Sequence, residues 1–197
     1  ALDSIETGAW STTNLTDGIL ETIRPNTAGA LPATLARKAF TVSNPVRRAT
    51  LYASALGLYQ LRLNGREISH QILAPEWTSY RKRVACQAYD VTGLVQRGEN
   101  VLAGMLGEGW YAGRLMAVGR FPYGAIPKLL VQLEIEASDG SVQQIVTDAS
   151  WRTTTDGPIR AAGIYDGETY DARQEQAGWD QRGFDDSAWH PAKASDL

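Results

Sequence analysis

Cysteine and histidine are scarce in this chain of 197 residues, which has one cysteine and two histidines. A single cysteine, Cys86, excludes an intramolecular disulfide, and together with His70 and His190 it is too small a set for a structural zinc site. Neither histidine shows a spacing that would pair it with the thiol. Because Cys86 alternates with Val84 and Ala88, we expect it to be a small buried hydrophobic residue rather than a catalytic nucleophile.

A surplus of positive charge and a long apolar run are also missing. The chain has 19 lysines and arginines against 22 aspartates and glutamates, a formal net charge of -3, so it offers no basic stripe to nucleic acid. We interpret the short run Arg81–Arg83 as a solvated turn. No apolar segment is long enough for a membrane span, and residues 1–6 lack a signal-peptide pattern. We therefore expect neither a nucleic-acid nor a membrane partner. The compartment stays open, with the cytoplasm favoured.

Sustained helical periodicity is absent too, whereas strand patterns recur along the chain. Leu58–Leu63 and Leu129–Ile135 alternate apolar and polar residues with a period of two, which is the pattern of half-buried strands. The dipeptides Asn64-Gly65 and Asp139-Gly140 follow such runs and are strong hairpin signals. Hydrophobic residues make up 43% of the chain, enough for a core without disulfides. These features predict an all-β sandwich of jelly-roll type.

Composition divides the chain into three segments. Residues 1–35 are rich in Thr, Asn, Ala, Gly and Pro, and we interpret them as an irregular N-terminal arm that includes one short strand. Residues 36–192 are predicted to form the β-sandwich domain, and residues 193–197 a tail or the start of a linker. Inside the sandwich, about 20 residues from Trp110 to Lys128 show no strand pattern, and a loop of that length is usually functional or packs on a partner.

The most distinctive segment is residues 106–114, which read Leu-Gly-Glu-Gly-Trp-Tyr-Ala-Gly-Arg. Its three glycines break a regular strand and let the backbone approach other groups closely. Trp110 and Tyr111, with Tyr123 of the following loop, are candidates for stacking on sugar rings. Burial at the sandwich edge or against another domain is an equal alternative for these rings. Arg114 closes the segment with a positive charge beside the aromatic pair.

Four carboxylates on predicted loops are candidates for chemistry: Glu108, Asp166, Glu168 and Asp171. A glycosidase needs two carboxylates that flank one bond, and residues 166–173 have the density of an active-site loop. In the alternative interpretation, Arg173 and the neighbouring acids form a network that fixes a surface turn. A calcium site is a third possibility, because carboxylates and loop carbonyls are hard oxygen ligands, although the spacing is not that of an EF-hand.

An ordered set of motifs makes the chain resemble a known family. The motifs are Leu51–Gly57, Leu63-Asn64-Gly65, Leu73–Trp77, Tyr89–Thr92, Gly98-Glu99-Asn100, Leu106–Tyr111, Tyr165–Arg173 and the segment Trp179–Trp189. In this order they resemble the N-terminal β-sandwich region of bacterial α-L-rhamnosidases, glycoside hydrolase family 78, over roughly residues 35–192. The fold that the resemblance implies is all-β, a jelly-roll or galactose-binding-like β-sandwich.

The resemblance implies a parent enzyme of several domains that removes terminal α-L-rhamnose from glycosides with inversion. In the family, the catalytic acid and base lie in an (α/α)6 barrel beyond this region, so no catalytic residue is carried over to this chain. We therefore expect a non-catalytic domain that packs on the barrel of the same parent chain or assists it.

Two alternatives stay open beside this expectation. One is a calcium-dependent L-rhamnose-binding module, which would make calcium the one cofactor. The other is a self-sufficient glycosidase that uses Glu108 or Glu168. The candidate residues for contacting carbohydrate or a second domain are Trp110, Tyr111, Arg114, Tyr123, Asp166 and Glu168. The ligands of any metal stay unassigned.

One position departs from the pattern of the family. Relatives often have glycine where this chain has Glu76, directly before Trp77, and we expect the turn to differ there. The indole of Trp77 itself is interpreted as an anchor that packs its loop onto the domain.

Overall fold

The computed structural model describes residues 12–14, 30–115 and 119–195. Its strands form two six-stranded sheets, here called sheet A and sheet B, and a separate two-stranded hairpin. The prediction of an all-β chain is confirmed. Within the described ranges, no helix is long and apolar enough to cross a membrane.

Sheet A is built around one long central strand. Its members are β1 (Thr12–Asn14), β3 (Val46–Leu56), β6 (Gln87–Asp90), β8 (Lys128–Ala137), β9 (Val142–Val146) and β14 (Lys193–Ser195). The order is β14-β1-β8-β3-β6, with β9 also paired to β8. Strand β8 runs antiparallel to β3 along almost its whole length, and the register shifts once, between Val46 and Arg48 of β3.

Sheet B has the same antiparallel character. Its members are β2 (Thr34–Val42), β4 (Leu58–Leu63), β5 (Arg66–Glu67), β7 (Gly98–Gly107), β10 (Arg152–Thr154) and β13 (His190–Pro191). The order is β13-β10-β2-β7-β4-β5. Strand β7 pairs with β2 along nine positions and with β4 along six, so the residues after β7 leave the sheet from its middle.

The core lies between the two sheets and follows the alternation read from the sequence. On β4, Tyr59, Leu61 and Leu63 are buried in the core while Gln60 is exposed. On β8, the apolar positions from Leu129 to Ile135 are buried in the same core. Each sheet has one apolar face, and the two apolar faces pack against each other, which is the architecture of a β-sandwich.

A short helix and a hairpin complete the described elements. Helix α1 (Gly109–Ala112) follows β7, the hairpin consists of β11 (Ile159–Gly163) and β12 (Gly167–Tyr170), and a 3-10 helix spans Ala172–Gln174. The backbone N–H of Ala33 donates to the carbonyl of Ile159 at 3.1 Å. The hairpin is thus tied to the chain just before β2 begins.

Parts of the predicted arm and tail contribute strands to the sandwich. Strand β1 lies within residues 1–35 and pairs with β14, which lies within residues 193–197. Strand β2 begins at Thr34, and residues 1–11 and 15–29 of the arm lie outside the described residues. The division into arm, sandwich and tail stays a prediction.

The predicted burial of Cys86 is wrong. The thiol is exposed, because the side of this segment that carries Val84, Cys86 and Ala88 faces solvent. The alternation runs through residues 84–89, but its orientation is the opposite of the predicted one, with Gln87 and Tyr89 half-buried. Val84, expected on the same inner face as Cys86, is exposed as well.

Residues 179–189 are held against sheet B by Arg37. Its neighbour Ala36 belongs to the core, so the guanidinium emerges on the outer face of β2, where this segment covers it. The guanidinium donates to the backbone carbonyls of Trp179 at 2.9 Å and Gln181 at 3.0 Å, and it forms an ion pair with Asp186. Only 3% of Arg37 is exposed. One buried side chain thus satisfies several polar groups of a turn-rich segment.

We predict that Arg37→Met lowers the free energy of unfolding by about 3 kcal/mol, because it leaves the carboxylate and the carbonyls without their donor. Arg47→Met is the matched control, since Arg47 pairs with Glu136 at the surface and such pairs contribute about 1 kcal/mol or less. Urea unfolding of both variants measures the difference. Equal losses in the two variants would show that Arg37 does not anchor the segment.

Candidate functional site

Residues 106–114 run from the end of β7 through α1, and their glycines have a structural reason. Gly109 has a φ of 52°, in the left-handed region that favours glycine. A Cβ there would lie 2.6 Å from Cγ of Leu58, and a Cβ on Gly113 would lie 2.3 Å from the carbonyl oxygen of Gly109. The segment therefore turns off sheet B in a space that admits no side chain at these two positions.

Glu108, directly before Gly109, is buried, with 1% of the residue exposed. Its carboxylate accepts a hydrogen bond from the guanidinium of Arg120 and forms an ion pair with it. Oε2 of Glu108 and Nε of Arg120 are buried and have no hydrogen-bond partner in the described part of the chain. The carboxylate is thus matched by a cation but only partly satisfied by hydrogen bonds.

The ion pair extends into a network that includes two more of the predicted site residues. Nη1 of Arg120 donates to Oδ2 of Asp166 at 3.1 Å, and Nε of Arg114 donates to Oδ1 of the same carboxylate at 2.6 Å. Glu108, Arg114 and Asp166 are therefore brought together, and Arg120 is the residue that joins them. The sequence reasoning missed Arg120 because the loop that carries it shows no periodic pattern.

The pKa of the Glu108 carboxyl is raised above its ordinary value. Burial is the main cause, and the charge of Asp166 adds to it, while Arg120 acts in the opposite direction without cancelling the effect. A carboxyl enclosed in this way does not reach a substrate in solvent. The network instead connects α1, the loop that follows it and the hairpin β11–β12.

Five aromatic side chains form a surface cluster beside the network, here called the aromatic platform: Trp77, Tyr80, Trp110, Tyr111 and Tyr123. The rings of Trp77 and Trp110 stack with centroids 5.9 Å apart and an interplanar angle of 10°. Tyr80 meets Tyr111 and Tyr123 edge-on, with centroids 5.4 Å and 5.0 Å apart. Such offset and edge-on pairs are the favoured geometries of aromatic rings. The three predicted aromatic residues therefore lie together, and Trp77 and Tyr80 join them.

Trp77 is less buried than a packed loop anchor would be, since 45% of the residue is exposed. Its indole N–H points to the hydroxyl of Tyr123 at 3.3 Å, and one ring face is covered by Trp110. Glu76, directly before Trp77, has a φ of 79°. Left-handed backbone at this position explains why glycine suits it.

An apolar groove of about 410 Å³ is lined by residues of β4, β7 and the hairpin β11–β12. Its apolar lining includes Leu58, Leu73, Met105, Ile159, Ala162 and Ile164. Glu168 and Gln60 add polar atoms to the lining. Glu168 is therefore the predicted carboxylate that lines this groove.

Within residues 12–14, 30–115 and 119–195, no three His, Cys, Asp or Glu side chains group in a way that could hold a metal. Asp171 is bound by Arg173, whose Nε and Nη2 donate at 2.8 Å and 2.7 Å, and this contact lowers the pKa of the carboxyl. Asp166 and Asp171 are thus engaged by arginines, as the network interpretation expects, whereas no ion pair of the described residues involves Glu168.

The fold agrees with the β-sandwich domains of glycoside hydrolases. The crystal structure of α-L-rhamnosidase from Aspergillus terreus superposes with a TM-score of 0.86 at 36% identity, over 100% of this chain and 22% of that one. The crystal structure of Streptomyces avermitilis α-L-rhamnosidase complexed with L-rhamnose superposes with a TM-score of 0.82 at 48% identity, over 85% of this chain and 16% of that one.

The family follows from the sequence of the chain. The model of the alpha-L-rhamnosidase N-terminal domain matches residues 44–197, and the chain belongs to this family. Curated relatives named alpha-L-rhamnosidase include one from Streptomyces avermitilis, 51% identical over 77% of this chain, and one from Formosa agariphila, 41% identical over 80% of it. The chain spans only 15% and 17% of the lengths of these two relatives.

We predict that replacing Glu108 by Gln makes stability less sensitive to pH. Because the pKa of Glu108 is raised above 4.5 in the folded protein, the folded state binds this proton more tightly than the unfolded state. As pH rises from about 4 to about 7, the free energy of unfolding of the unmodified protein should therefore fall relative to that of Glu108→Gln. Urea unfolding at each pH measures the difference. A difference that is constant or that grows in favour of the unmodified protein would contradict the raised pKa.

Proposed function

We propose that this chain is a non-catalytic domain of an α-L-rhamnosidase and that it packs on the catalytic (α/α)6 barrel of the same parent chain. The family and the small share of each relative that the chain spans support a larger parent. The parent activity that we propose, hydrolysis of terminal α-L-rhamnose, is the one that the relatives are named for. The domain would stabilise the barrel and shape the approach to it.

The observation that carries this proposal is the concentration of exposed apolar side chains around the apolar groove. Leu73 and Ile164 line the groove, and their neighbours Ile72 and Tyr165 are also exposed. Ile72 is 82% exposed, which is unusual for a large aliphatic side chain. Contiguous apolar surface of this kind marks an interaction site.

The state of the carboxylates supports a role other than catalysis. A glycosidase needs one carboxyl group to donate a proton and a second to act as base or nucleophile at the same bond. Glu108 is enclosed and paired with Arg120, and Asp166 is paired with two arginines. Glu168 is exposed at the groove, but the acids nearest to it in the network are already neutralised.

We predict that the chain of 197 residues alone does not hydrolyse an aryl α-L-rhamnoside. The reason is that no second carboxylate of the network is free to act with Glu168. Release of nitrophenol from 4-nitrophenyl α-L-rhamnoside measures the activity, and Glu168→Gln is the control. Turnover above buffer that disappears in Glu168→Gln would contradict the proposal.

We also predict that Ile72→Asp affects the parent enzyme and spares the isolated domain. Surface substitutions change the free energy of unfolding by about 0.5 kcal/mol or less, so the chain of 197 residues should tolerate the change. In the full-length rhamnosidase, a buried Ile72 contributes about 2 kcal/mol, and the variant should lower the unfolding temperature and the rhamnosidase activity.

Val142→Asp is the matched control for this experiment, since Val142 is an exposed aliphatic residue on β9 of the other sheet. It should leave both the isolated domain and the full-length enzyme unchanged. Thermal unfolding of the four proteins separates the two effects. Equal behaviour of the two variants in the full-length enzyme would show that the groove does not pack on the barrel.

A further inference from the structure

Residues 74–83 form a closed loop that carries an exposed indole and three exposed cations. The hydroxyl of Thr78 donates to the carbonyl of Arg83 at 2.7 Å, and the backbone N–H groups of Lys82 and Arg83 donate to the carbonyl of Ser79 at 2.7 Å and 3.0 Å. These bonds bring the two ends of the segment 78–83 together. Trp77 and the run Arg81–Arg83 therefore flank one tight turn.

The orientation of the Trp77 indole is fixed by two neighbouring aromatic residues. Trp110 supports one of its faces, and the contact of its N–H with Tyr123 sets the orientation of the ring. Tyr80 packs edge-on against Tyr111 and Tyr123 and so anchors the same loop. Burial raises the pKa of Tyr80 to about 12, which keeps the phenol neutral. A ring that is already immobile loses little conformational entropy when a second flat surface stacks on it.

The cationic side chains of this loop are not engaged by acids of the described residues. Arg81, Lys82 and Arg83 are all exposed, and no ion pair of the described residues involves them, whereas Arg114 and Arg120 of the neighbouring network are paired with acids. The loop carries one carboxylate, Glu76. Positive charge is therefore in excess on the loop that carries Trp77.

We propose that the aromatic platform and the run Arg81–Arg83 form a binding site for an acidic saccharide, a chain of pyranose rings that carry carboxylates. The apolar C–H face of a pyranose ring suits the plane of Trp77, as it suits other aromatic planes. The carboxylate on the ring edge suits guanidinium and ammonium groups, which bind it through charge-assisted hydrogen bonds. The site needs no calcium ion, and it does not depend on the packing of the groove on a barrel.

Isothermal titration calorimetry of the chain of 197 residues with tri-galacturonate tests the proposal. Fully methyl-esterified tri-galacturonate is the matched neutral ligand, since it has the same rings without charge. We expect saturable binding of the acid that weakens as salt is added, because the contacts with exposed cations are screened. The ester should bind at least about tenfold more weakly. Absence of heat at millimolar acid, or equal binding of acid and ester, would overturn the proposal.

Substitutions in this loop separate the contribution of ring stacking to binding from the contribution of charge. Trp77→Ala should weaken binding of the acid about tenfold, and Trp77→Phe should restore part of the affinity. The double variant Arg81→Ala/Lys82→Ala should weaken the acid and leave the ester unchanged. The control Tyr170→Ala removes an exposed aromatic ring of the hairpin, and Arg66→Ala removes an exposed cation of β5.

The two controls should bind like the unmodified chain. If either control weakens binding as much as its counterpart, the proposed site is overturned. Urea unfolding of each variant shows whether it is folded. The double variant changes only exposed side chains, so it tests the site even where Trp77→Ala destabilises the loop.

Discussion

The ion pair of Glu108 and Arg120 is the interaction on which the loops of this domain depend. A carboxylate removed from water is costly unless a cation and hydrogen bonds compensate for it. The sandwich places Glu108 directly after the central strand of sheet B, where it is enclosed. Arg120 supplies the cation from the long loop, and Asp166 extends the contact to the hairpin. Three segments that are distant in the sequence are thereby held at the end of one strand.

In this arrangement, the network of carboxylates and arginines that resembles a catalytic site is distinct from the surfaces that can bind a partner. The carboxylates and arginines of the network hold loops, and helix α1 contributes to two exposed features. Its Gly109 lines the apolar groove, and its Trp110 and Tyr111 belong to the aromatic platform. Loops on a rigid sheet scaffold commonly carry the interactions of a domain. Here one buried pair holds the segment that contributes residues to both surfaces.

Local patterns in the sequence were sufficient for the strands but not for the partners of polar residues. The alternation of Leu58–Leu63 and Leu129–Ile135 depends only on neighbouring residues, so it could be read directly. Arg120 could not be identified, because its partner is 12 residues away across a loop with no period. A glutamate between two glycines at the end of an apolar strand was the one signal that a nearby cation was needed. The burial of Cys86 was predicted wrongly because the face that carries Val84, Cys86 and Ala88 was assigned to the core, whereas it faces solvent at the edge of sheet A.

The sequence by itself determined the all-β class, the hairpins and the family, because these depend on periodicity, turn residues and ordered motifs. Only the tertiary structure decided that Glu108 and Asp166 share one guanidinium and that Trp77 stacks on Trp110 while it stays exposed. The physical reason is that ion pairs and ring contacts are made between residues that the chain brings together only when both sheets and the connecting loops are in place. Whether a side chain faces solvent, a core or a neighbour is a property of that arrangement.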